Sequence, residues 1–359
     1  MKKLIAVMMV LVMVLTFPVS SLAVEEINAP KAELRTNHEY AFAYTEYTDS
    51  DNSIIRTYRK QENTGVSAYA RTVSNNTASA VSTEEGTKAV LTSLGMSPDF
   101  VEELSEEDLV EYANSQQIIS TVSYIKTDAE GNVTHVPEEE ALTVTSLNPN
   151  PSWDNMDDTG GGYPSYYSLE SDEYMQITFI VAELGGGRYK YSVDAIWLAM
   201  PFWRFKDCIG IAVQNSSVSY GTYSGWFQYT TTVAYVASTH STVKKEYFTE
   251  DNFAQPEADG WDGGAATFWL PQDQHFEYSS TTHSGFKVHF ECEATVTNPQ
   301  LVTVFNATAT YDHSLVMPDL DVGVDIASVE DGMGCVLGWG INSDSRIAYF
   351  DEPFRYEPE

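Results

Sequence analysis

The sequence predicts a mainly β protein in which an antiparallel β-sandwich follows a small α+β region with short helices. Clear helical patterns are confined to residues 84–112. After residue 171 the chain consists of short alternating stretches separated by turn residues, with no helical pattern between them. That succession is typical of antiparallel sandwiches, because parallel strands need crossover segments that are usually helical.

The first 23 residues have the three-part layout of a secretory signal peptide. Lys2 and Lys3 precede an apolar run over residues 4–17, and the small-residue tripeptide Ser-Leu-Ala occupies residues 21–23. The run is shorter than the roughly 20 residues that a membrane-spanning helix needs. We therefore expect cleavage after Ala23 and a secreted, extracellular protein.

The chain is strongly acidic, with 19 Lys and Arg against 52 Asp and Glu and a net charge of −33. Cleavage after Ala23 removes Lys2 and Lys3 and no acid, which changes the charge to −35. Such a surface repels nucleic acid phosphates and anionic headgroups, so we exclude nucleic acid as a partner and expect no membrane partner. The same surface favours bound divalent cations, with calcium the candidate outside a cell.

The predicted organisation is a signal peptide over residues 1–23, a small α+β region over 24–147, a linker or surface loop over 148–170 and the sandwich over 171–359. The third segment is rich in Asp, Gly, Pro and Tyr and has no periodic pattern. These features are typical of loops and linkers.

Three helices are predicted inside the α+β region. The first covers 84–94 and ends at Gly95, the second begins at Pro98, and Ser105 with Asp108 forms a capping box for the third.

These helices share one apolar side, formed by Leu91, Leu94, Phe100, Val101, Leu104, Leu109 and Tyr112. An apolar helix face must be buried against another element. We expect it to pack on two strands, residues 118–126 and 133–144.

Two passages give the strongest strand signals. Residues 175–183 and 189–198 flank three glycines and predict a hairpin, and residues 287–297 alternate regularly. In that last strand one set of side chains is predicted to face the core: Val288, Phe290, Cys292, Ala294 and Val296. The other set is predicted to face water: Lys287, His289, Glu291, Glu293 and Thr295.

Residues 208–243 contain no Asp, Glu, Lys or Arg and alternate hydroxyl-bearing residues with aromatic residues and valines. Secreted pore-forming proteins insert hairpins of this composition into membranes. The alternative is a set of sandwich strands with a hydroxyl-rich outer face, which Trp226, Tyr229 and Tyr235 favour because they suit a sheet core.

Three cysteines occur, at positions 208, 292 and 335. An exported chain of this kind has room for one disulfide and one remaining thiol. Cys208 and Cys292 lie on predicted strands at core-facing positions, so this pair is the expected disulfide.

Two groups of aspartates are candidate cation sites, because carboxylate oxygens are the ligands that calcium prefers. The first group lies in the glycine-rich loop and the second in an extended segment: Asp154, Asp157 and Asp158, and Asp319, Asp321 and Asp325. Trp261, set among glycines and acids, is the candidate ligand-binding tryptophan, since exposed aromatic faces hold sugar rings.

Two passages resemble segments of uncharacterised exported proteins from spore-forming Gram-positive bacteria. One is the helical stretch Leu-Gly-Met-Ser-Pro-Asp-Phe at 94–100 with residues 104–109, and the other is the strand region Ala-Ile-Trp-Leu-Ala-Met-Pro-Phe-Trp at 195–203. The resemblance covers part of the chain. It implies a host type and no activity.

The function that these patterns favour is binding to a glycan or a protein partner outside the cell. A pore-forming or membrane-active protein is the second hypothesis, because of residues 208–243. A glycoside-active enzyme is the third, since such enzymes need only two suitably spaced carboxylates. No residue is assigned a catalytic role.

Overall fold

A computed structural model of the chain describes these residues: 42–49, 51–60, 84–128, 133–147, 173–199, 201, 204, 206–214, 216–219, 221–235, 238–254, 261–276, 278–296, 307–313, 324–329, 332–337 and 346–349. Within them the protein is mainly β, as predicted. The described helices are α1 (Glu84–Ser93), α2 (Pro98–Glu103), α3 (Glu106–Asn114) and α4 (Glu138–Leu147). None of these four is long and apolar enough to cross a membrane.

The described strands follow the chain in this order: β1 (Phe42–Thr48), β2 (Ile54–Lys60), β3 (Gln117–Thr127), β4 (Val133–Val136), β5 (Glu173–Gly185), β6 (Arg188–Trp197), β7 (Lys206–Gln214), β8 (Ser216–Val218), β9 (Ser224–Tyr235), β10 (Ser238–Tyr247), β11 (Phe253–Ala254), β12 (Trp261–Trp269), β13 (Gln274–Phe276), β14 (Ser279–Val296), β15 (Ala307–His313), β16 (Val324–Val329), β17 (Gly332–Leu337) and β18 (Arg346–Tyr349). Every described strand pair is antiparallel.

Two sheets contain most of these strands. The large sheet has the order β1-β2-β3-β5-β6-β14-β9-β10, with β4 added to β3 and both β8 and β13 added to β14. The small sheet has the order β11-β12-β7-β15-β18, and β16 pairs with β17. Strand β3, which precedes the predicted 148–170 loop, pairs with β5, which follows it. The two predicted parts of the chain therefore contribute strands to one sheet.

The large sheet is covered on both faces. Alternate residues of β5 separate the two cores, because successive side chains of a strand point to opposite faces. Ile177, Phe179 and Val181 belong to a core shared with the small sheet, whereas Ile180 and Ala182 belong to a second core under the helices. The small sheet and the helices thus pack on opposite sides of the large sheet.

Helices α1 to α3 form as their capping signals predict. Gly95 has a φ of +102°, which ends α1 in a conformation that glycine adopts without a Cβ penalty. Ser105 accepts a hydrogen bond from the Asp108 backbone while the Asp108 side chain accepts one from the Ser105 backbone, which completes the capping box. The predicted apolar side packs on β3 as expected, but its other partners are β2, β5 and β9, and no residue of 133–144 belongs to this described core.

The prediction of a strand over residues 133–144 is wrong beyond Val136. Strand β4 ends there, and α4 begins at Glu138 directly after Pro137. A proline suits the start of a helix because its missing N–H would have no partner there, and Glu138, Glu139 and Glu140 place negative charge in the first turn. These two start signals outweigh the alternation of Val and Thr further along.

The prediction of a water-facing side for residues 287–297 is also wrong in its middle. The core-facing set packs between the sheets as predicted. His289 and Glu291 are buried as well, at 4% and 7% exposure, because α2 and α3 cover this face of β14. Alternation alone identifies two faces of a strand but does not say that the polar face meets water.

The expected Cys208–Cys292 disulfide does not form, and both residues are buried thiols. Cys292 belongs to the core between the sheets, as do Ile209 and Ile211 of β7. Cys208 has the opposite parity to those two residues, so its side chain points away from the large sheet. The small sheet itself therefore separates the two sulfur atoms.

Candidate functional site

Of the seven site residues predicted from sequence, the structure describes two, Asp325 and Trp261. Asp154, Asp157, Asp158, Asp319 and Asp321 are outside the described residues. Asp325 lies in β16, opposite Val336, and Trp261 is the first residue of β12, opposite Gln214. Within the described part of the chain no three His, Cys, Asp or Glu residues are placed to hold a metal ion together.

A buried ionic network lies between the large sheet and the helices. Lys190 of β6 forms ion pairs with Asp108 and with Glu111, the latter at 3.4 Å, and lies 3.7 Å from Glu291 of β14. His289 Nδ1 lies 2.5 Å from an oxygen of Asp194 in the neighbouring strand β6.

The protonation states of this network follow from its burial and its charges. Burial opposes the charged form of His289, but the Asp194 and Glu291 carboxylates outweigh it and raise the pKa of His289 to about 10. Burial likewise opposes the charge of Glu291, yet hydrogen bonds and attraction from His289, with Lys190 and Ser224, lower its pKa to about 2. The network therefore joins helix α3 to strands β6 and β14 through buried ion pairs.

A second histidine–aspartate pair lies at the edge of the core between the sheets. His313 Nδ1 is 3.0 Å from both carboxylate oxygens of Asp207, Tyr311 donates its hydroxyl proton to the same carboxylate, and Trp197 donates to the Tyr311 oxygen at 3.2 Å. The adjoining cavity measures about 20 Å³ and is lined by Ile125, Thr127, Val133, Glu173, Met175, Trp197, Tyr311 and His313. That volume holds about one water molecule and no sugar ring.

A third region is uncharged and open. We call it the outer sheet end; it consists of Thr231–Tyr235 of β9, Ser238–Val243 of β10, Gln274–Phe276 of β13 and Tyr278–Ser284 leading into and forming the first part of β14. None of these residues is Asp, Glu, Lys or Arg; Glu277, in the turn, is outside the described residues. No side chain of this region belongs to the core between the sheets.

Two aromatic side chains stand on one face of the outer sheet end. Phe276 lies opposite Ser279 in the register of β13 and β14, and Ser279 lies opposite Tyr235 in the register of β14 and β9. Residues opposite each other in antiparallel strands point to the same face. Tyr235 is 52% exposed and Phe276 is 63% exposed, so both rings are open to solvent.

Hydrogen-bonding groups surround these rings. The next row of the same face is formed, in register across four strands, by Gln274, Thr281, Val233 and His240. Thr231 and His283 form the row behind it and bond to each other at 3.1 Å. The face therefore combines open rings with hydroxyl, amide and imidazole groups, and charged residues begin only at its inner border, where Asp273, Arg204 and Lys244 act on His283.

The sequence marks part of this surface as unusual, but predicts it as a membrane hairpin or as sandwich strands with a hydroxyl-rich outer face and not as a ligand-binding site. The lack of charge over residues 208–243 marked β9 and β10, and Trp226 and Tyr229 are buried as predicted, at 5% and 6% exposure. The assignment of Tyr235 to the core is wrong, because β9 continues beyond the small sheet. The sequence analysis does not predict Gln274–Ser284 as part of this surface, although a stretch with Glu277 as its single charged residue could have indicated it.

Comparison with known proteins adds no family to this description: no protein-family model matches the chain, and no curated protein matches it.

Proposed function

We propose that this is an exported protein that binds an uncharged polysaccharide at the outer sheet end. One observation carries the proposal: two open aromatic rings stand in one row of an uncharged, hydroxyl-rich sheet face. Aromatic faces pack on the apolar faces of sugar rings, while a few placed polar groups bond their hydroxyls.

Charge supports a neutral glycan over an anionic one. The chain carries a net charge of −33, so its field repels polyphosphate and uronic acid polymers. The rows of Tyr235 and Phe276 and of Gln274 and His240 contain no Lys or Arg with which to pair an anionic group, and Lys244 follows only beyond the row of Thr231 and His283. A neutral polymer meets neither obstacle.

The membrane-active alternative is disfavoured by how residues 208–243 are divided between sheets. Strand β7 lies between β12 and β15 in the small sheet, whereas β9 and β10 belong to the large sheet. Ile209, Ile211 and Val213 of β7 are fully buried in the core between the sheets. Release of the whole segment would therefore expose the main core of the protein, which costs more than moving a surface hairpin.

Two further hypotheses come from the sequence: calcium binding by the aspartate groups and ligand binding by Trp261. We propose that the aspartate groups bind calcium; a melting temperature raised by millimolar calcium and not by magnesium would support this. Trp261 begins β12 at the opposite end of that strand from Trp269. If it also binds glycan, it forms a site separate from the outer sheet end.

The test is affinity electrophoresis of the mature protein through gels that contain neutral or anionic polysaccharides. We expect retardation by at least one neutral glucan, mannan, xylan or galactan and none by polyuronates. Tyr235→Ala and Phe276→Ala should each reduce the association constant by about tenfold, since an aromatic contact contributes roughly 1 kcal/mol or more.

Tyr247→Ala is the matched control, because Tyr247 is an equally exposed aromatic residue at the other end of β10, bonded to Glu103. It should leave retardation unchanged, and Trp261→Ala in the same gels tests the separate tryptophan. Absence of retardation by every neutral polysaccharide would contradict the proposal, as would dye release from lipid vesicles at sub-micromolar protein.

A further inference from the structure

The distance between the two exposed rings indicates which kind of neutral glycan can contact both of them. Phe276, Ser279 and Tyr235 occupy one row across three adjacent strands. Adjacent strands lie about 4.8 Å apart, so the two ring-bearing positions are about 9.6 Å apart, with only a serine side chain between them. In an extended, flat chain of β-linked six-membered sugar rings, two successive units span a similar length.

The direction of the row is also set by the sheet. Because the row crosses the strands, a polymer that contacts both rings must run across β13, β14 and β9 and not along them. Such a polymer would place its edge over the neighbouring row formed by Gln274, Thr281, Val233 and His240. The amide, hydroxyl and imidazole groups of that row supply donors and acceptors for sugar hydroxyls.

We propose, on the basis of the proposed function, that the outer sheet end binds a linear β-1,4-linked neutral polysaccharide that crosses the strands. One sugar unit stacks on Tyr235, the next lies over Ser279 and the third stacks on Phe276. Three consecutive units are then the shortest ligand that contacts both rings. A helical α-linked chain changes direction from unit to unit and does not present three coplanar units to a flat row.

The test is calorimetric titration of the mature protein with cello-oligosaccharides of one to six glucose units, with manno- and xylo-oligosaccharides as further β-1,4-linked series. Malto-oligosaccharides of the same lengths are the α-linked controls. We expect the association constant to rise by about tenfold between two and three units in at least one β-linked series, as the second ring is engaged, and then to change little. Malto-oligosaccharides should show no such step.

Variants of the two rings test whether the rise in the association constant at three sugar units depends on them. Tyr235→Ala and Phe276→Ala should each abolish the rise between two and three units, and the double variant should bind the three-unit ligand more weakly than either single variant does. Tyr247→Ala should retain the step. Circular dichroism of each variant should match the parent, since the substituted rings are exposed.

The outcomes separate this inference from the proposed function. Ring-dependent binding of a neutral glycan without a step at three units, or equal binding of α-linked chains, overturns the β-1,4 inference and leaves the proposed function standing. Absence of binding to any neutral glycan overturns both. A concentration-dependent dimer that Tyr235→Ala dissociates would show instead that a second copy of the chain covers this face.

Discussion

Strands β9 and β14 pair with each other along almost their whole shared length, but their two halves have opposite surroundings. In the inner half, Phe227 and Phe290 face the small sheet while Trp226 and His289 face the helices. In the outer half, neither face of the pair contributes to the core between the sheets, and Tyr235 is open to solvent. The same ladder of backbone hydrogen bonds thus lies within the core in one half, whereas in the other half its Tyr235 edge is open to solvent and the opposite face buries Ala234 and Ser280.

A bulge separates the two halves. The register of β14 with β9 shifts between Ser284 and Lys287, and Gly285 within it has a φ of +63°. A positive φ at a bulge is a conformation that glycine adopts readily and other residues rarely adopt. Strand pairing therefore does not decide which residues of a strand are exposed; the extent of the layers that cover the sheet decides it.

The largest expected effect comes from comparing two phenylalanines, Phe290 in the inner half of β14 and Phe276 in β13, which pairs with the outer half. Phe290→Ala should lower the free energy of unfolding by about 3–5 kcal/mol, because the ring is fully buried between the sheets and its loss leaves a cavity. Phe276→Ala should change it by about 0.5 kcal/mol or less, since the ring is mostly exposed. Urea denaturation followed by circular dichroism measures both. Comparable losses for the two variants would mean that the outer half is part of the core.

The next expected effect is a pH dependence, again located in the inner half. The pKa of His289 is about 10 in the folded protein against an ordinary value of 6.5, because of the Asp194 and Glu291 carboxylates, which outweigh the opposing effect of burial. Its stabilising contribution is therefore complete below about pH 6.5 and is lost as the pH rises towards 10. The free energy of unfolding should fall over this window, and His289→Gln should make that fall shallower.

His283 of the outer half is the matched control for this titration. Burial lowers its pKa below 6.5, so it is already neutral above pH 7. His283→Gln should leave the alkaline fall unchanged relative to the parent. If His289→Gln also leaves it unchanged, the buried network does not carry a protonated histidine.

The sequence predicts the elements of this molecule better than their surroundings. The capping box at Ser105 and the three-glycine turn after β5 act within a few residues, so local pattern was sufficient to predict the helix and the hairpin. The error at His289 arose because its burial depends on α2 and α3, which are nearly two hundred residues away in the chain. Alternation shows two faces but not what covers each.

The candidate site was predictable only in part for the same reason. The absence of charge in β9 and β10 is visible in the sequence, but the row that joins Tyr235 to Phe276 depends on the register of three strands. Register across non-adjacent segments is set by tertiary packing and turn geometry, which single-sequence patterns do not contain. The prediction of Trp261 rests on its small and acidic sequence neighbours, and such a local criterion cannot detect a row of side chains that spans several strands.

The smallest effect distinguishes two adjacent lysines on the edge strand β10. Lys245 Nζ lies 3.7 Å from the ring centre of Trp226 and 2.8 Å from Glu103, so it fastens the edge strand to the helix side of the inner half. Lys245→Ala should lower the free energy of unfolding by about 1 kcal/mol, and Lys245→Arg should restore most of it because arginine also stacks on tryptophan.

Lys244 is the matched control, since it precedes Lys245, is exposed and points to the opposite face of the strand. Lys244→Ala removes the same charge from the same strand and should change the free energy of unfolding by about 0.5 kcal/mol or less. Because the two variants share net charge, general electrostatic repulsion in this acidic protein cannot account for a difference between them. Equal effects in urea denaturation would mean that the contact with Trp226 adds nothing and that the edge strand is held by its pairing with β9 alone.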